Sequence, residues 1–580
     1  MYACDFETRN EEDNCSVWHW GYAEVGNIDN WNWGIDIESF MEWCSKINDT
    51  IYFHNLKFDG NFIVSWLLRN GFTHNNEKKH KERTFKTLIN KMGVWYSIEI
   101  CWSVKRNRKI VTKMYDSFKK LPFKLERIAI DLNLPLLKGE IDYNKKRPIG
   151  YQPTEDEIAY LRNDVQILAL AMEIQYEENL QKMTIGSDCL NTYKEMLGNG
   201  DVKKGEKKYR KLFPVLDKHI DKVIRESYRG GWCYVNPKYK NILLKSGIIL
   251  DVNSEYPWAM RENLMPYGVP MYFKGEYVPN KIYPLFIQQL ECSFEIKKDH
   301  LPMIQIKNKP LHFKGNEYLT SSKGLRVQLS LTSVDLQLFF DHYEVINPKF
   351  IGGFMFKGAY GLYSDYIDHF MNDKIKYKDV PSKKLKAKLL LNNLYGKMGT
   401  SIDVTSRIPM LDENEVVRLR VGEPEESDPQ YVPTAAFTTS YARNLIIRTS
   451  QANYDRFVYC DTDSMHLLGK ETPSEMIENN MIDKTALGKF DLEHTFVKAK
   501  YLFQKTYIYE AITYDKQGNE IGTETIVKGA GMTDEVKKHL NFDNFEPGAK
   551  VPGLKKSKTV KGGVVITDKI FTLRERGDVV

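Results

Sequence analysis

Apolar and polar residues follow two different periods along this chain, and the two are interleaved from the first residues onward. Residues 2–8 alternate position by position, which predicts a strand, and a short apolar run at 51–53 predicts another strand. An amphipathic helix through about Arg69 follows the second strand. After Pro153 a further helix is predicted, because Thr154 and Glu157 fit a capping box. Its core-facing stripe has the three- and four-residue spacing of Ile158, Leu161, Val165 and Leu168.

The second half of the chain continues this mixture, so we predict mixed α/β domains. Residues 247–251 read as an apolar strand, followed by a turn that holds Tyr256. Residues 458–466 read as a tight hairpin, and the segment 384–397 reads as a helix. At 580 residues, a prior of roughly 150 residues per domain suggests about four domains. The predicted breaks lie near 184–190, 258–265, 430–433 and 531–550.

Charge changes this picture only locally, since 83 basic residues stand against 77 acidic ones and the net charge is +6. The stretch 371–400 holds eight lysines and two aspartates, an excess that fits a solvated helix face as well as an anion-binding site. The stretch 411–430 holds seven acidic residues and two arginines, and we expect an exposed loop or hairpin tip there.

Cysteine usage and the first residues indicate where the protein works. The eight cysteines are scattered, with no CxxC pair and no zinc-like spacing, which is typical of reduced thiols in a cytosolic protein. The N-terminus has neither the basic nor the apolar region of a signal peptide. No apolar run approaches the length of a membrane span. We therefore expect a soluble, intracellular protein.

Four carboxylates in the first third of the chain form one candidate site. Asp5 and Glu7 point to the same side of the predicted strand, where they would repel each other unless a cation lay between them. Taken alone, they could belong to a solvated edge strand, and Asp59 could simply cap its helix. Tyr160 and Asp164 share one face of the later helix. A cluster of Asp5, Glu7, Asp59 and Asp164 would suit two magnesium ions that hydrolyse a phosphodiester, with Tyr160 orienting the water.

A second candidate site lies further along the chain. Asp251 ends a predicted buried strand, and Asp461 and Asp463 lie two residues apart in the predicted hairpin. A calcium loop is excluded there, because the Gly and the distal Glu that it requires are missing. Between them, one helix face carries the cation of Lys388, the amide of Asn392 and the ring of Tyr395, a set that suits nucleotide binding.

These motifs resemble those of family B DNA polymerases. The nuclease series D-x-E, N-x-x-x-F-D and Y-x-x-x-D precedes D-x-x-S-x-Y-P, K-x-x-x-N-x-x-Y-G and Y-x-D-T-D-S, in that order. The resemblance implies an RNase H-like 3′→5′ exonuclease domain followed by a right-hand polymerase domain. It further implies that Asp251, Val252 and Asp463 hold two catalytic magnesium ions with Asp461 assisting, and that Mn²⁺ substitutes for Mg²⁺. Tyr256 would exclude a ribose 2′-hydroxyl.

Over essentially its full length the chain resembles the protein-primed replicative polymerases of small tailed phages, the φ29-like group. By that resemblance, Lys138 belongs to the nuclease site, and Lys374 or Lys376 joins Lys388 on the triphosphate. The residues expected to contact DNA are Thr8, Asn55, Phe58, Ser117, Phe123, Tyr143, Tyr228, Arg229, Gly230, Gly231, Thr439, Arg443, Lys505 and Tyr507.

The resemblance also divides the chain and predicts its partners. The expected partners are template-primer DNA, deoxynucleoside triphosphates and a terminal protein that serves as primer, and the enzyme is expected to act as a monomer in the cytoplasm of an infected bacterium. The expected divisions are exonuclease 1–187, palm 188–261 and 433–535, terminal-protein-binding insertion 262–360, fingers 361–398, ring-closing insertion 399–432 and thumb 536–580.

Two departures and three alternatives accompany this interpretation. Glu255 stands where an apolar residue is usual, and the fingers loop at 373–383 is about two residues longer than the family pattern. A DNA-primed family B polymerase without a terminal protein is the main alternative. A binding scaffold with dead sites is disfavoured because all seven carboxylates are intact, and a nuclease alone would leave two-thirds of the chain unexplained.

Overall fold

The structure is a computed structural model that describes residues 1–77, 79–105, 108–142, 145–306 and 312–575. It contains two large sheets, one in each half of the chain, together with three smaller sheets. Within the described ranges, every helix is too short or too polar to cross a bilayer.

The first large sheet has eight strands in the order β3-β2-β1-β4-β8-β7-β6-β5. β1 pairs antiparallel with β2 and parallel with β4, as a mixed α/β sheet requires. The long helix α4 packs on the face that carries Ala3 and Ala23, and α1 and α2 pack on the other face around Phe6. The elements are β1 (Tyr2–Thr8), β2 (Val17–Glu24), β3 (Asn27–Gly34), α1 (Ile37–Ser45), β4 (Thr50–Phe53), α2 (Lys57–Arg69), β5 (Thr73–His74), β6 (Thr84–Ile89), β7 (Trp95–Lys105), β8 (Arg108–Asp116), α3 (Leu125–Asp131) and α4 (Glu155–Glu177).

The rest of the chain supplies a second large sheet and the pieces around it. Its elements are α5 (Ile185–Leu197), α6 (Val202–Leu212), α7 (Lys218–Arg225), β9 (Cys233–Val235), β10 (Gly247–Val252), α8 (Glu255–Glu262), β11 (Met265–Lys274), β12 (Leu285–Ile296), β13 (Val327–Thr332), α9 (Ser333–His342), β14 (Tyr343–Ala359), α10 (Ser364–Lys376), α11 (Pro381–Met398), β15 (Arg407–Leu411), β16 (Val417–Val421), α12 (Val432–Ala452), β17 (Phe457–Asp461), β18 (Ser464–Leu468), α13 (Ser474–Glu478), β19 (Phe490–Phe503), β20 (Thr506–Tyr514), β21 (Glu520–Gly529), α14 (Asp534–Lys538), β22 (Lys550–Val560) and β23 (Gly563–Thr572).

The second large sheet runs β21-β20-β19-β10-β18-β17-β9, so β10 is a central strand. The apolar run at 247–250 is buried because strands cover it on both sides and helix α12 lies on one face. The segment 265–359 forms its own four-stranded sheet, β11-β14-β12-β13. α10 and α11 form a helical pair with α5 and share one core with it.

The acidic segment after residue 411 is a hairpin, made of β15 and β16. Val417 is buried in the core of the first sheet, so the hairpin packs on the N-terminal part of the chain. Its turn meets the turn of the C-terminal hairpin β22–β23, where Glu415 forms an ion pair with Lys561. The predicted hairpin tip is therefore present, and its acidic tip contacts protein.

Two local predictions need correction. Tyr256 lies in the first turn of helix α8, and the strand-to-helix turn is limited to Asn253 and Ser254. The break predicted near 258–265 is correspondingly short, because α8 continues to Glu262 and β11 begins at Met265. The capping box of α4 is confirmed, with the Thr154 hydroxyl accepting from the Glu157 amide.

Candidate active sites

The four N-terminal carboxylates come from three elements that meet at one end of the first sheet. Asp5 and Glu7 lie on the face of β1 that packs against α4, where Asp164 is only 1% exposed. Asp59 reaches the cluster from α2 and is 3% exposed. The alternative that Asp59 caps its helix is wrong, because the N-cap residue is Leu56 and Asp59 lies in the first helical turn.

Burial, followed by mutual repulsion, governs the electrostatics of this cluster. Burial first, and then Asp164, raises the pKa of Asp5, while burial followed by Asp5 and Asp164 raises the pKa of Glu7. Burial and Asp5 also raise the pKa of Asp59 well above its ordinary range. The Lys138 ammonium opposes this effect, since its Nζ donates to Asp164 Oδ2 at 2.6 Å and lies 5.4 Å from the ring centroid of Tyr160. The structure thus brings together Lys138, Tyr160 and all four carboxylates.

The donor set of this cluster suits a hard divalent cation. Asp59 Oδ1 and Asp164 Oδ1 are buried, and neither has a hydrogen-bond partner among the described residues. Buried carboxylate oxygens normally have a partner, and magnesium prefers such oxygen ligands. Among the described residues, no three carboxylate, histidine or cysteine side chains are already placed to hold one metal ion together.

The residues expected to hold a single strand lie close to this cluster but not all are accessible. Asn55 and Phe58 line an open cavity of about 460 Å³ between α2, the β15–β16 hairpin and the β22–β23 hairpin. Thr8 is half-buried beside Glu7. Direct contact by Ser117 needs correction, because it is fully buried and its hydroxyl contacts His54 Nδ1 at 2.8 Å. Phe123 holds the other ring nitrogen of His54 through its carbonyl at 2.8 Å, and Tyr143 lies outside the described residues.

The second carboxylate set lies where two strands of the other large sheet end together. Asp251 lies near the end of β10, opposite Ser464, and Asp461 ends β17 on the same edge. The turn between β17 and β18 places Asp463 beside them, and the Val252 amide donates to the Asp463 carbonyl at 2.8 Å. Thr462 takes φ 70° to make so tight a turn. The predicted hairpin and its two aspartates are confirmed in placement.

These aspartates also repel one another. Burial, followed by the nearby Asp463, raises the pKa of Asp251 to about 7. Burial and Asp461 likewise raise the pKa of Asp463. Asp461 is better compensated, because Lys505 Nζ contacts its Oδ1 at 2.6 Å. Asp251 and Asp463 are therefore the pair with the greater need of a cation.

Of the predicted nucleotide-binding residues, Tyr256 and Tyr395 lie near enough to this edge for Asp463 to raise the pKa of each. Lys388 and Asn392 lie on the exposed face of α11, and the Tyr395 ring packs on the Tyr256 ring with centroids 4.2 Å apart. A side-chain carbon at Gly231 would lie 3.0 Å from the Tyr256 hydroxyl, so the 228–231 loop passes directly over this ring pair.

Lys374 and Lys376, the two candidates for the second triphosphate-binding lysine, have different surroundings. Lys374 is half-buried, and burial followed by the charges of Lys388 and Lys384 lowers its pKa. The Lys376 ammonium instead lies over the Tyr377 ring, 5.0 Å from its centroid. Lys374 belongs to the cationic cluster, whereas Lys376 is on the outside. Lys384 was missed, although its place one turn before Lys388 on α11 could have indicated it.

Two residues expected to grip DNA are buried, and this is a further correction. The Arg443 guanidinium is 3% exposed, pairs with Asp335 at 2.5 Å, and donates to the carbonyls of Arg229 and Gly230 at 2.8 Å each. Thr439 is 1% exposed and bonds its own helix. Arg443 therefore holds the 228–231 loop in place from beneath. Asp335 was missed, because its partner lies 108 residues further along the chain.

The remaining DNA-contact candidates differ in accessibility. Lys505 is half exposed beside Asp461, and Tyr228 is half-buried under Gly399. Tyr507 is 6% exposed and packs on Tyr459 with centroids 4.8 Å apart, so only its edge reaches the surface.

Comparison with known proteins shows which family the chain belongs to. The family described as DNA polymerase type B, organellar and viral, matches residues 42–481. The chain belongs to the type B DNA polymerases. The DNA polymerase of Bacillus phage M2 is 45% identical over 99% of both chains, and that of Bacillus phage phi29 is 43% identical over the same shares. The DNA polymerase of Streptococcus phage Cp-1 is 35% identical over 99% of this chain and 98% of its own.

Solved structures extend the likeness to three dimensions. Phi29 DNA polymerase complexed with primer-template DNA and incoming nucleotide substrates superposes with a TM-score of 0.93, at 42% identity, over 99% of this chain and 100% of that one. Phi29 DNA polymerase complexed with single-stranded DNA gives the same TM-score, identity and coverage. This polymerase is thus a φ29-like phage enzyme, a replicative DNA-directed DNA polymerase, and polymerases of this family generally use divalent metal ions.

Proposed function

We propose that this polymerase is primed by a terminal protein, displaces the strand ahead of it, and proofreads its product with an intrinsic 3′→5′ exonuclease. The observation that carries the proposal is the pair of carboxylate clusters on separate sheets of one chain. Asp5, Glu7, Asp59 and Asp164 would remove nucleotides, and Asp251, Asp461 and Asp463 would add them. The first cluster is largely buried and the second is half-buried. In both, the carboxylates repel one another and offer the oxygen ligands that magnesium prefers.

For nucleotide addition, the chain binds and orients the reactants. Lys388 and Lys374 would neutralise the triphosphate, and the stacked rings of Tyr256 and Tyr395 would form the floor of the nucleoside pocket. Two Mg²⁺ ions, held by Asp251, Asp463 and the Val252 carbonyl, would polarise the attacking 3′-hydroxyl and offset charge on the leaving phosphate. Lys505 holds Asp461 at the edge of the site.

For nucleotide removal, Lys138 and Tyr160 act on the same side of the cluster. Lys138 fixes one oxygen of Asp164, and the Tyr160 hydroxyl would orient a water toward the phosphodiester. A second magnesium pair would be held by Asp5, Glu7 and Asp164, with Asp59 completing the set. Asn55 and Phe58 line a cavity suited to an unpaired 3′ end, where a ring can stack on a base of any identity.

The division of labour along the chain follows the same proposal. Residues 1–187 would be the exonuclease, 188–261 with 433–535 the palm, 361–398 the fingers and 536–580 the thumb. The independent sheet within 262–360 would receive the terminal protein. The 399–432 hairpin, which packs on the first sheet and pairs with the C-terminal hairpin, would close a ring around DNA. The relatives' phage origin supports work in the cytoplasm of an infected bacterium, where the enzyme would act as a monomer.

The priming mode is tested by mixing the protein with a candidate terminal protein, labelled dATP and magnesium. A covalent protein–nucleotide adduct that resists denaturation is the expected result. Extension of a DNA primer with no adduct for any terminal protein from the same phage would favour the DNA-primed alternative. The Asp463→Asn variant serves as the control that separates true nucleotidyl transfer from background labelling.

A further inference from the structure

A histidine lies directly behind the nuclease cluster and has no hydrogen-bond partner there. β1 and β2 pair antiparallel with Glu7 opposite His19 and Asp5 opposite Gly21. Residues directly opposite in such a pair put their side chains on one face, with Cβ atoms about 4.5–5.5 Å apart. His19 therefore lies on the same face as Glu7, the face covered by α4.

Burial makes this histidine unusual. His19 is fully buried, and neither Nδ1 nor Nε2 has a partner among the described residues. An unsatisfied buried polar group destabilises a fold by about 1–3 kcal/mol, so a native structure rarely keeps one without a reason. The ring is held by its neighbours, with the Trp18 and Trp33 ring centroids each 5.3 Å away. An alanine or a leucine between these rings would destabilise the fold less, because neither would bury an unsatisfied polar group.

The two carboxylates near His19, those of Glu157 and Glu7, differ in whether they already have hydrogen-bond donors. Glu157 is fully supplied, since it accepts from Tyr151, Arg147, Lys145 and its capping partner. Glu7 is 8% exposed, and no described donor contacts its carboxylate. An ionised Glu7 that gave one oxygen to a cation would leave its other oxygen in need of a donor.

We propose that His19 is a positioning residue of the nuclease. When Glu7 gives one carboxylate oxygen to a metal ion, a ring N–H of His19 would donate to the other oxygen and orient the carboxylate. The inference rests on the proposed exonuclease function. Metal-binding side chains are commonly held by such a donor behind them, and loss of that donor typically lowers metal affinity or activity about 10- to 100-fold. The pairing of β1 with β2 places the His19 ring on the same face as Glu7, whose carboxylate has no donor among the described residues.

Two variants separate hydrogen bonding from packing. His19→Phe keeps a ring of similar bulk without a donor, whereas His19→Gln keeps an N–H donor. Both are placed in the Asp251→Asn/Asp463→Asn background, so that Mn²⁺ binding is measured at the nuclease site alone. The readouts are Mn²⁺ affinity by titration calorimetry and single-turnover degradation of a single-stranded oligonucleotide as a function of Mn²⁺ concentration.

The expected result is that His19→Phe weakens Mn²⁺ binding by about 10-fold or more and shifts the metal dependence of degradation by a similar factor. His19→Gln should recover much of both. Primer extension, measured with each change in the wild-type background, should not differ. Wild-type Mn²⁺ affinity in His19→Phe, or equal losses in both variants, would overturn the role of His19 as a donor.

A control distinguishes this failure from failure of the proposed function. Asp5→Ala with Glu7→Ala, in the same background, should remove Mn²⁺ binding altogether. If that control binds Mn²⁺ normally, the proposed nuclease site itself is wrong. If the control loses binding and His19→Phe does not change it, only the inference about His19 fails.

Discussion

At the scale of single residues, the proposed chemistry depends on the carboxylates, and their burial explains why they need partners. The alternation of β1 indicated that Asp5 and Glu7 share a face, because a strand's period of two fixes side-chain direction. The sequence also indicated Lys138, Lys388 and Tyr395. It could not show that Arg443 and Ser117 are buried, because burial depends on packing against residues far along the chain, such as Asp335.

Glu255 offers a test of stability. It is 3% exposed, both of its oxygens lack partners among the described residues, and burial followed by Asp463 raises its pKa well above its ordinary value of 4.5. Glu255→Leu should therefore stabilise the fold by about 1–3 kcal/mol at neutral pH. Calorimetric melting of the variant and the wild type, without metal, measures the difference.

The pH dependence of this gain has a definite sign. A carboxyl with a raised folded pKa stays protonated in the folded state while the unfolded chain ionises, so the folded state loses stability as pH rises above about 4.5. The advantage of Glu255→Leu should thus be larger at pH 8 than at pH 5. An advantage that is constant or shrinks with pH would contradict the assigned environment of Glu255.

Lys374 and Lys376, two residues apart at the end of α10, give a matched pair of variants. Lys374→Ala should raise KM for the incoming nucleotide about 10-fold or more, because a charge-assisted contact contributes about 1.5–3 kcal/mol. Lys376→Ala should change it little, since that ammonium lies over the Tyr377 ring. Steady-state incorporation on a primed template measures both, and a larger effect at Lys376 would reverse the assignment.

At the scale of elements, the sequence predicted which helices and hairpins form better than it predicted which of them pack against each other. The capping box, the 388–395 helix face and the 458–466 hairpin were foreseen, since each depends on local spacing. The start of α8 at Glu255 was missed, because its N-cap residue Ser254 takes φ 50° and makes no side-chain capping bond. Docking of the acidic hairpin on Lys561 was also unforeseeable, since it joins segments about 150 residues apart.

The two ends of that hairpin lie close together in the structure. The amide of Val404 donates to the carbonyl of Glu425 at 2.9 Å, so the segment 404–425 begins and ends at adjacent positions and a short linker can replace it. Replacing them with two glycines should shorten products on a primed circle, because the proposed ring around DNA would be open. Denaturing electrophoresis of the products, with single-nucleotide incorporation as the control, reads this out. Full-length products at wild-type yield would rule out the ring-closing role.

At the scale of the whole molecule, one chain joins two carboxylate sites on two sheets. The order of motifs in the sequence was sufficient to indicate both sites and the family, and the superposition on phi29 DNA polymerase agrees with it. What the sequence could not supply was the physical independence of the sites. In the structure, Asp5 and Asp251 lie on separate sheets with separate cores, so each site can be disabled without unfolding the other.

The most direct test is therefore a paired inactivation, measured on one substrate preparation. Asp463→Asn should lower nucleotide incorporation at least about 1,000-fold, because it removes a proposed metal ligand, and leave degradation of single-stranded DNA intact. Asp5→Ala with Glu7→Ala should abolish degradation and leave incorporation intact. Loss of both activities in either variant, or synthesis retained by Asp463→Asn, would contradict the account of two separate sites.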